Sequence, residues 1–203
     1  MLIRRDGSRS RAEFEDERGS YSGLWWESPP DPSSGFVGVL YPDGNRRPIG
    51  DIANMRSIVA TYGEMALEEC NKGDGCPLSW ALAVIQTESH GDPNGRDAKG
   101  GVGPMQITEP GLKKGHTDEE LRDPALNLSI GIGLLRSIWA HGVRDVPVMA
   151  SIYNAGGSIE KGLYLPHPSR ISPWGMRETA GHIGRVVMAN NAFAELVRLG
   201  EVT

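Results

Sequence analysis

The stretch that decides the fold is Trp80-Ala-Leu-Ala-Val-Ile-Gln-Thr-Glu88-Ser-His-Gly-Asp-Pro93. Its first part is an almost unbroken apolar run, which predicts a helix over residues 77–89 that is buried on nearly every side. Pro77 suits the first turn of this helix and Gly91 its C-terminal cap, so Glu88 falls in the last turn. A carboxyl at the negative end of a helix and beside apolar packing is expected to have a raised pKa, as a general acid requires. On this stretch alone, a solvated surface glutamate remains the alternative.

Helical patterns continue on both sides of this stretch. Asp51 can cap the preceding helix, and Asp123 with Pro124 can open the next long one. Together with the buried helix, the apolar periodicity predicts helices over residues 51–70, 77–89, 124–141, 147–155 and 176–199. The glycine-rich and proline-rich stretches between them read as loops, and no strand pair is expected here. The sequence therefore predicts a mainly α fold with one helical domain over residues 51–203.

Residues 1–50 have a different character and are predicted to form a largely irregular N-terminal arm. A mixed-charge opening is followed by segments rich in proline, glycine and serine, which are typical of turns. One short strand is predicted over residues 36–41 and a turn over residues 42–44. The adjacent Trp25 and Trp26 would expose much apolar surface unless docked, so an ordered arm is favoured over a disordered tail.

Composition excludes several classes of protein. A formal net charge of −5 argues against a nucleic-acid-binding protein. No apolar run approaches the length of a transmembrane helix, and the first residues show no signal-peptide pattern. The two cysteines, Cys70 and Cys76, flank a short polar loop; a disulfide and two free thiols fit equally well. They lack the further ligands of a structural zinc site, so no metal is predicted.

Four motifs, in order along the chain, resemble those of one enzyme family. The Glu88-Ser pair and the later Gly-Val-Gly103-Pro-Met105-Gln106, with 106 − 88 = 18, resemble the E-S…G-L-M-Q signature of the soluble lytic transglycosylases and the related goose-type lysozymes. The segments that begin at Asp123 (Asp-Pro-Ala-Leu-Asn) and at Ala150 (Ala-Ser-Ile-Tyr-Asn-Ala-Gly) are similar to further family motifs. A fourth segment, Glu178-Thr…His182-Ile, matches another, with His where Tyr is usual. The resemblance covers roughly residues 51–190.

The resemblance implies a lysozyme-like helical fold and cleavage of peptidoglycan glycan strands without a cofactor. Glu88 would be the single catalytic acid, and the product would be a 1,6-anhydro-muramyl end. The residues implied as substrate-binding are Gly103, Met105, Gln106, Tyr153 and Asn154. Glycines such as Gly101 and Gly103 would let backbone approach a sugar closely, although a plain turn is the alternative. Met105 and Tyr153 also fit as core residues.

Asp97 departs from the transglycosylase pattern. Those enzymes usually carry Ser at this distance before the Gln (106 − 97 = 9), whereas goose-type lysozymes carry Asp there. As a possible second carboxylate, Asp97 could activate a water and make the reaction an ordinary hydrolysis. The alternative is a solvated loop acid beside Arg96.

A wall-cleaving chemistry without a signal peptide suggests a bacteriophage protein. We expect a virion-associated enzyme that acts in the bacterial periplasm and cell wall, with a free phage endolysin as the alternative. Residues 1–50 would then dock on a phage structural protein through their aromatic side chains.

Overall fold

A computed structural model describes residues 12–16, 19–23, 36–40, 46–108, 112–166 and 173–198. The chain divides into two units, Met1–Ile52 and Ala53–Thr203.

The N-terminal unit contains two antiparallel strand pairs. Strand β1 (Ala12–Asp16) pairs with β2 (Gly19–Gly23), and β3 (Phe36–Leu40) pairs with β4 (Arg46–Asp51). The sequence predicts only β3, because Pro48 and Gly50 within β4 disfavour a strand assignment; a two-stranded sheet tolerates such residues at its edges. Trp25, Trp26 and the turn predicted over residues 42–44 lie outside the described residues.

Helices dominate the second unit, which confirms the mainly α prediction. They are α1 (Ile52–Cys70), α2 (Leu78–Ser89), α3 (Pro124–Ala140), α4 (Val146–Ala155) and α5 (Pro173–Arg198), with a short 3-10 helix at Glu120–Arg122. Asp123 caps α3 as predicted, since its side chain accepts a hydrogen bond from the backbone N–H of Ala125 at 2.9 Å. Within the described ranges, no helix is long and apolar enough to span a membrane.

Helix α2 forms the centre of the second unit. Every residue from Trp80 to Gln86 is buried, as its apolar run predicts. It packs against α5 and α3, and α5 also packs against α4. The chain leaves α2 through His90 in the left-handed region (φ 56°) and then Gly91 (φ 82°). This turn ends the helix at Ser89 and leaves Glu88 in its final turn.

A hairpin corrects the prediction that this unit has no strand pair. Strand β5 (Gly157–Glu160) pairs antiparallel with β6 (Leu163–Pro166). The two residues between them, Lys161 and Gly162, both have positive φ angles, 50° and 80°, which is the geometry of a tight hairpin turn. Three apolar side chains of this hairpin are exposed: Ile159, Leu163 and Leu165.

The cysteines Cys70 and Cys76 lie close together at the junction of α1 and α2. Their sulfur atoms are 3.5 Å apart, and neither is in a disulfide. The hydrogen bond with Cys70 lowers the pKa of Cys76, which favours the thiolate that starts disulfide exchange. Of the two alternatives that the sequence leaves open, the structure has two free thiols.

The buried side chain of Asn127 attaches the loop after α2 to helix α3. Its amide nitrogen donates to the carbonyls of Val102 (2.9 Å) and Leu121 (2.8 Å). Its amide oxygen accepts from the backbone N–H of Met105 at 2.9 Å. Asn127 is fully buried, so each of these backbone groups would lose its partner if the amide were removed.

We predict that Asn127→Ala destabilises the protein by about 2–4 kcal/mol, because it leaves buried backbone polar groups without partners. Urea unfolding followed by tryptophan fluorescence measures this change. Asn191→Ala, on an exposed position of α5, is the matched control and should change stability by less than about 0.5 kcal/mol. Equal unfolding midpoints for the two variants would contradict the role given to Asn127.

Candidate active site

Glu88 combines burial with chemical reactivity. Its side chain is 18% exposed, at the end of the apolar helix α2. Burial and, to a smaller extent, the negative charge of Asp97 raise the pKa of this carboxyl to about 7, against the opposing effects of Arg185 and Lys99. The raised pKa predicted from the sequence is thus confirmed, with desolvation as its main cause. At neutral pH this carboxyl can therefore either give or take a proton.

The imidazole of His182 lies beside the Glu88 carboxyl. His182 Nε2 lies 3.6 Å from Glu88 Oε1, and the His182 side chain is 6% exposed. Burial, together with the positive charges of Arg185 and Lys99, lowers the pKa of His182 to about 4. Since the imidazole is then neutral wherever the carboxyl is charged, the two groups do not form an ion pair near neutral pH. Sequence reasoning notes His182 only as a departure from a motif and misses its position beside the acid.

The side chain of Tyr153, on α4, connects this helix to the loop that follows α2. The hydroxyl donates a hydrogen bond to the backbone carbonyl of Met105 at 2.8 Å. Burial raises the pKa of Tyr153 well above its ordinary value, and the charge of Glu88 adds to the effect, so the phenol stays neutral. Tyr153 is partly exposed, and the following Asn154 is exposed. Both therefore remain available to a ligand, and their substrate-binding roles stay predictions.

Asp97 organises its own loop. Its Oδ1 accepts hydrogen bonds from the backbone N–H groups of Lys99 (2.9 Å) and Gly101 (2.7 Å). The side chain is exposed, and its charge reaches Glu88 as an electrostatic effect. Arg96, its neighbour in sequence, pairs instead with Asp118 at 2.7 Å.

Gln106 and Met105 have their side chains inside the protein, and their substrate-binding roles stay predictions. Gln106 adopts a left-handed backbone (φ 50°), is 9% exposed and donates its amide N–H to the carbonyl of Gly103 at 2.9 Å. Among the described residues, its buried Oε1 has no hydrogen-bond partner. The Met105 side chain is fully buried against Gly131 of α3. Both side chains therefore shape the loop from within.

Protein contacts also explain the glycines of this loop. A Cβ at Gly103 would lie 2.3 Å from Asn127 Nδ2 and 2.6 Å from the Leu121 carbonyl, and the backbone there has φ 77°. A Cβ at Gly101 would lie 2.6 Å from Gln106 Oε1. Contacts with α3 and with the Gln106 side chain therefore require glycine at these positions, and the close approach of a sugar stays a prediction.

The described residues were expected to hold no metal ion, and their possible ligands are the His, Cys, Asp and Glu side chains. They contain no group of three or more His, Cys, Asp or Glu side chains that could hold a metal ion. The chemistry that these side chains offer is proton transfer at Glu88.

The raised pKa of Glu88 makes a prediction about stability. A carboxyl whose pKa is raised by folding contributes stability that is full below its ordinary pKa of 4.5 and is lost as the pH rises through about 7. The Glu88→Gln side chain stays neutral at every pH, so this variant should be more stable than wild type by about 2–3 kcal/mol near pH 8.5. Near pH 4, where the wild-type carboxyl is also neutral, the difference in stability should fall to ~0 kcal/mol. Urea unfolding across this range measures it.

Glu68→Gln, an exposed change on α1, is the control for this prediction and should follow the wild-type curve. If Glu88→Gln and wild type keep a constant difference in stability at all pH values, the carboxyl is not desolvated as described.

The fold of this chain is similar to the folds of two solved lytic transglycosylases. The 70 kDa soluble lytic transglycosylase of Escherichia coli is similar with a TM-score of 0.53 and 21% identity, over 67% of this chain and 24% of that one. An inactive mutant of the lytic transglycosylase Slt from Pseudomonas aeruginosa has a TM-score of 0.47 and 17% identity, over 77% of this chain and 25% of that one. This chain thus covers about a quarter of either enzyme's length. The first likeness confirms the predicted lysozyme-like fold.

No curated protein matches the sequence. A family model does: residues 65–162 match the one described as the transglycosylase SLT domain. That match includes Glu88, Asp97 and Tyr153, although not His182. Residues 65–162 are therefore similar to the transglycosylase SLT domain, and the second unit has a lysozyme-like helical fold.

Proposed function

We propose that this protein cleaves the β-1,4 bond between N-acetylmuramic acid and N-acetylglucosamine in peptidoglycan, as a lytic transglycosylase. The observation that carries the proposal is Glu88, a carboxyl with a pKa of about 7 at the end of a buried helix in a transglycosylase SLT domain. Breaking a glycosidic bond needs a proton for the departing oxygen, and a carboxyl that is half protonated at neutral pH can supply it.

Glu88 serves twice in this mechanism. As an acid it gives its proton to the bridging oxygen, and the bond from that oxygen to the anomeric carbon of the muramyl sugar breaks. The acetamido oxygen of the same sugar then stabilises the anomeric carbon. As a base, the Glu88 carboxylate takes the proton of the sugar's own C6 hydroxyl while that oxygen attacks the anomeric carbon. The proton returns to Glu88, the product is a 1,6-anhydro end, and no water is consumed.

Hydrolysis with the help of Asp97 is the alternative. It would need an Asp97 carboxylate free to activate water opposite Glu88. Oδ1 of Asp97 already accepts two backbone hydrogen bonds that hold its loop, which favours a structural role and supports the transglycosylase mechanism.

We predict that Glu88→Gln loses lytic activity on purified peptidoglycan by about 10²–10⁴-fold, because the amide cannot transfer a proton. Release of soluble muropeptides measures the activity, and Glu68→Gln is the control that should match wild type. Product mass spectrometry should show muropeptides lighter by one water than those from hydrolysis, and Asp97→Ser should still make them. Hydrolysed products that disappear in Asp97→Ser would instead establish the two-carboxylate mechanism.

We propose further that the N-terminal unit attaches the enzyme to a structural protein of a bacteriophage particle, so that it opens the cell wall during entry. Two observations support this attachment role: residues 1–52 form a unit of their own, and the second unit contains the buried helix α2 and Glu88 without them. A lysis enzyme that acts free in the periplasm is the alternative setting.

A chain that begins at Gly50 should fold and cleave purified peptidoglycan at the wild-type rate, because the helical unit has its own core. Circular dichroism and muropeptide release measure these two properties. The full chain should co-purify with the phage particle, and the shortened chain should not. An unfolded shortened chain would contradict the attachment role, because residues 1–49 would then be part of the catalytic fold.

A further inference from the structure

The contact between His182 and Glu88 joins two helices at the acid. His182 stands on α5 and Glu88 on the last turn of α2, and the two helices pack along each other. Nε2 of His182 is 3.6 Å from Glu88 Oε1, slightly longer than a hydrogen bond. Catalytic hydrogen bonds are often long in the absence of substrate and shorten when it binds.

Stability gives no reason for an imidazole at this position. Nε2 is buried, and within the part of the chain that the structure describes it has no hydrogen-bond partner. A buried polar atom without a partner is unfavourable, and an apolar ring of similar shape would remove that penalty. A polar atom kept at such a cost beside the acid points to a role in the chemistry.

We propose that His182 is a positioning residue, whose Nε2–H donates a hydrogen bond to Glu88 Oε1 and thereby leaves Oε2 to carry the transferable proton. The proposal rests on the function proposed above and adds a second residue to it. One carboxyl oxygen is held by α5, so the carboxyl cannot rotate and presents the same oxygen to the sugar in each cycle. When the proton leaves, the same N–H stabilises the carboxylate that remains.

The surrounding charges keep His182 suited to this role. Among the described residues, the charges that act on Glu88 are those of Asp97 and Lys99 from the loop and of Arg185 from α5, and the charge of Glu88 in turn acts on Tyr153 of α4. Arg185 and Lys99 also act on His182, where with burial they lower its pKa to about 4. The imidazole is therefore a neutral donor at neutral pH. A cationic donor would hold Glu88 ionised and remove the acid, whereas a neutral donor only orients it.

Two substitutions at His182 separate this role from packing. His182→Phe keeps a ring and removes the donor, whereas His182→Gln places an amide N–H near the position of Nε2. Asn191→Ala, exposed on the same helix, is the control. Each full-length variant is assayed for kcat and KM on purified peptidoglycan as a function of pH. The Glu88 carboxyl is titrated by NMR in protein labelled with ¹³C-glutamate, with Glu88→Gln to assign the signal.

We expect His182→Phe to fold with at least wild-type stability and to lose kcat by roughly 10- to 100-fold at little change in KM, since a hydrogen bond to a charged group has about that effect on an equilibrium. The pKa of Glu88 should rise in this variant, because the carboxylate loses its donor. The decline of activity at alkaline pH should shift upward with it. His182→Gln should restore most of kcat and bring the pKa back toward the wild-type value.

Two results would overturn the proposal. One is a His182→Phe variant with wild-type kcat and an unchanged Glu88 titration. The other is a loss of kcat that His182→Gln does not reverse, which would mean that ring packing alone matters. The NMR titration needs no substrate, so it decides whether the contact exists even if the wild-type protein releases no muropeptides. A wild-type protein that releases no muropeptides would refute the proposed function, independently of the result of the titration.

Discussion

The hydrogen bonds of the Asn127 amide are the constraint on which the rest of the site depends. They hold two carbonyls and one N–H of the surrounding backbone against helix α3. A primary amide suits this position because it can donate twice and also accept, which neither a carboxylate nor an apolar side chain can do. The close approach leaves no room for a Cβ at Gly103. The loop after α2 therefore takes its shape from α3, a helix that begins 35 residues after α2 ends (124 − 89 = 35).

Burial of Glu88 serves reactivity at the expense of stability. The apolar helix α2 brings its last turn to the edge of the core, where the carboxyl is more easily protonated than in water. Positive charges from Arg185 and Lys99 moderate this effect, so the pKa stops near neutrality. A more complete burial would keep the acid protonated and unable to act as a base, and a solvated carboxyl would be ionised before it could act as an acid. The site lies between these two extremes.

The sequence predicts the helical elements well because their signals are local. Asp123 with Pro124 marks the start of α3, and the apolar run marks α2, both as observed. The β5–β6 hairpin escapes prediction for a physical reason. Its turn, Lys161-Gly162, lacks the usual Asn-Gly or Asp-Gly pair, and its apolar side chains are exposed, so they do not mark a buried face.

The candidate site is only partly readable from sequence, because its side chains meet across long stretches of chain. Glu88 and its raised pKa follow from one helix and its end. The inward turn of Gln106 depends on contacts within the folded loop, and the pairing of His182 with Glu88 depends on how α5 packs on α2. Asn127 does leave a signal, since an amide on an apolar helix face must find partners in the core.

The backbone of Met105 is held from two sides, and this has a consequence for motion. Its N–H is bonded to Asn127 of α3, and its carbonyl accepts from Tyr153 of α4. Neither helix can shift without either breaking its hydrogen bond to Met105 or moving the Met105 backbone with it. Slow fluctuations of α3, α4 and the loop that follows α2 should therefore be correlated, with the amide hydrogen of Met105 exchanging with solvent only when all three open together.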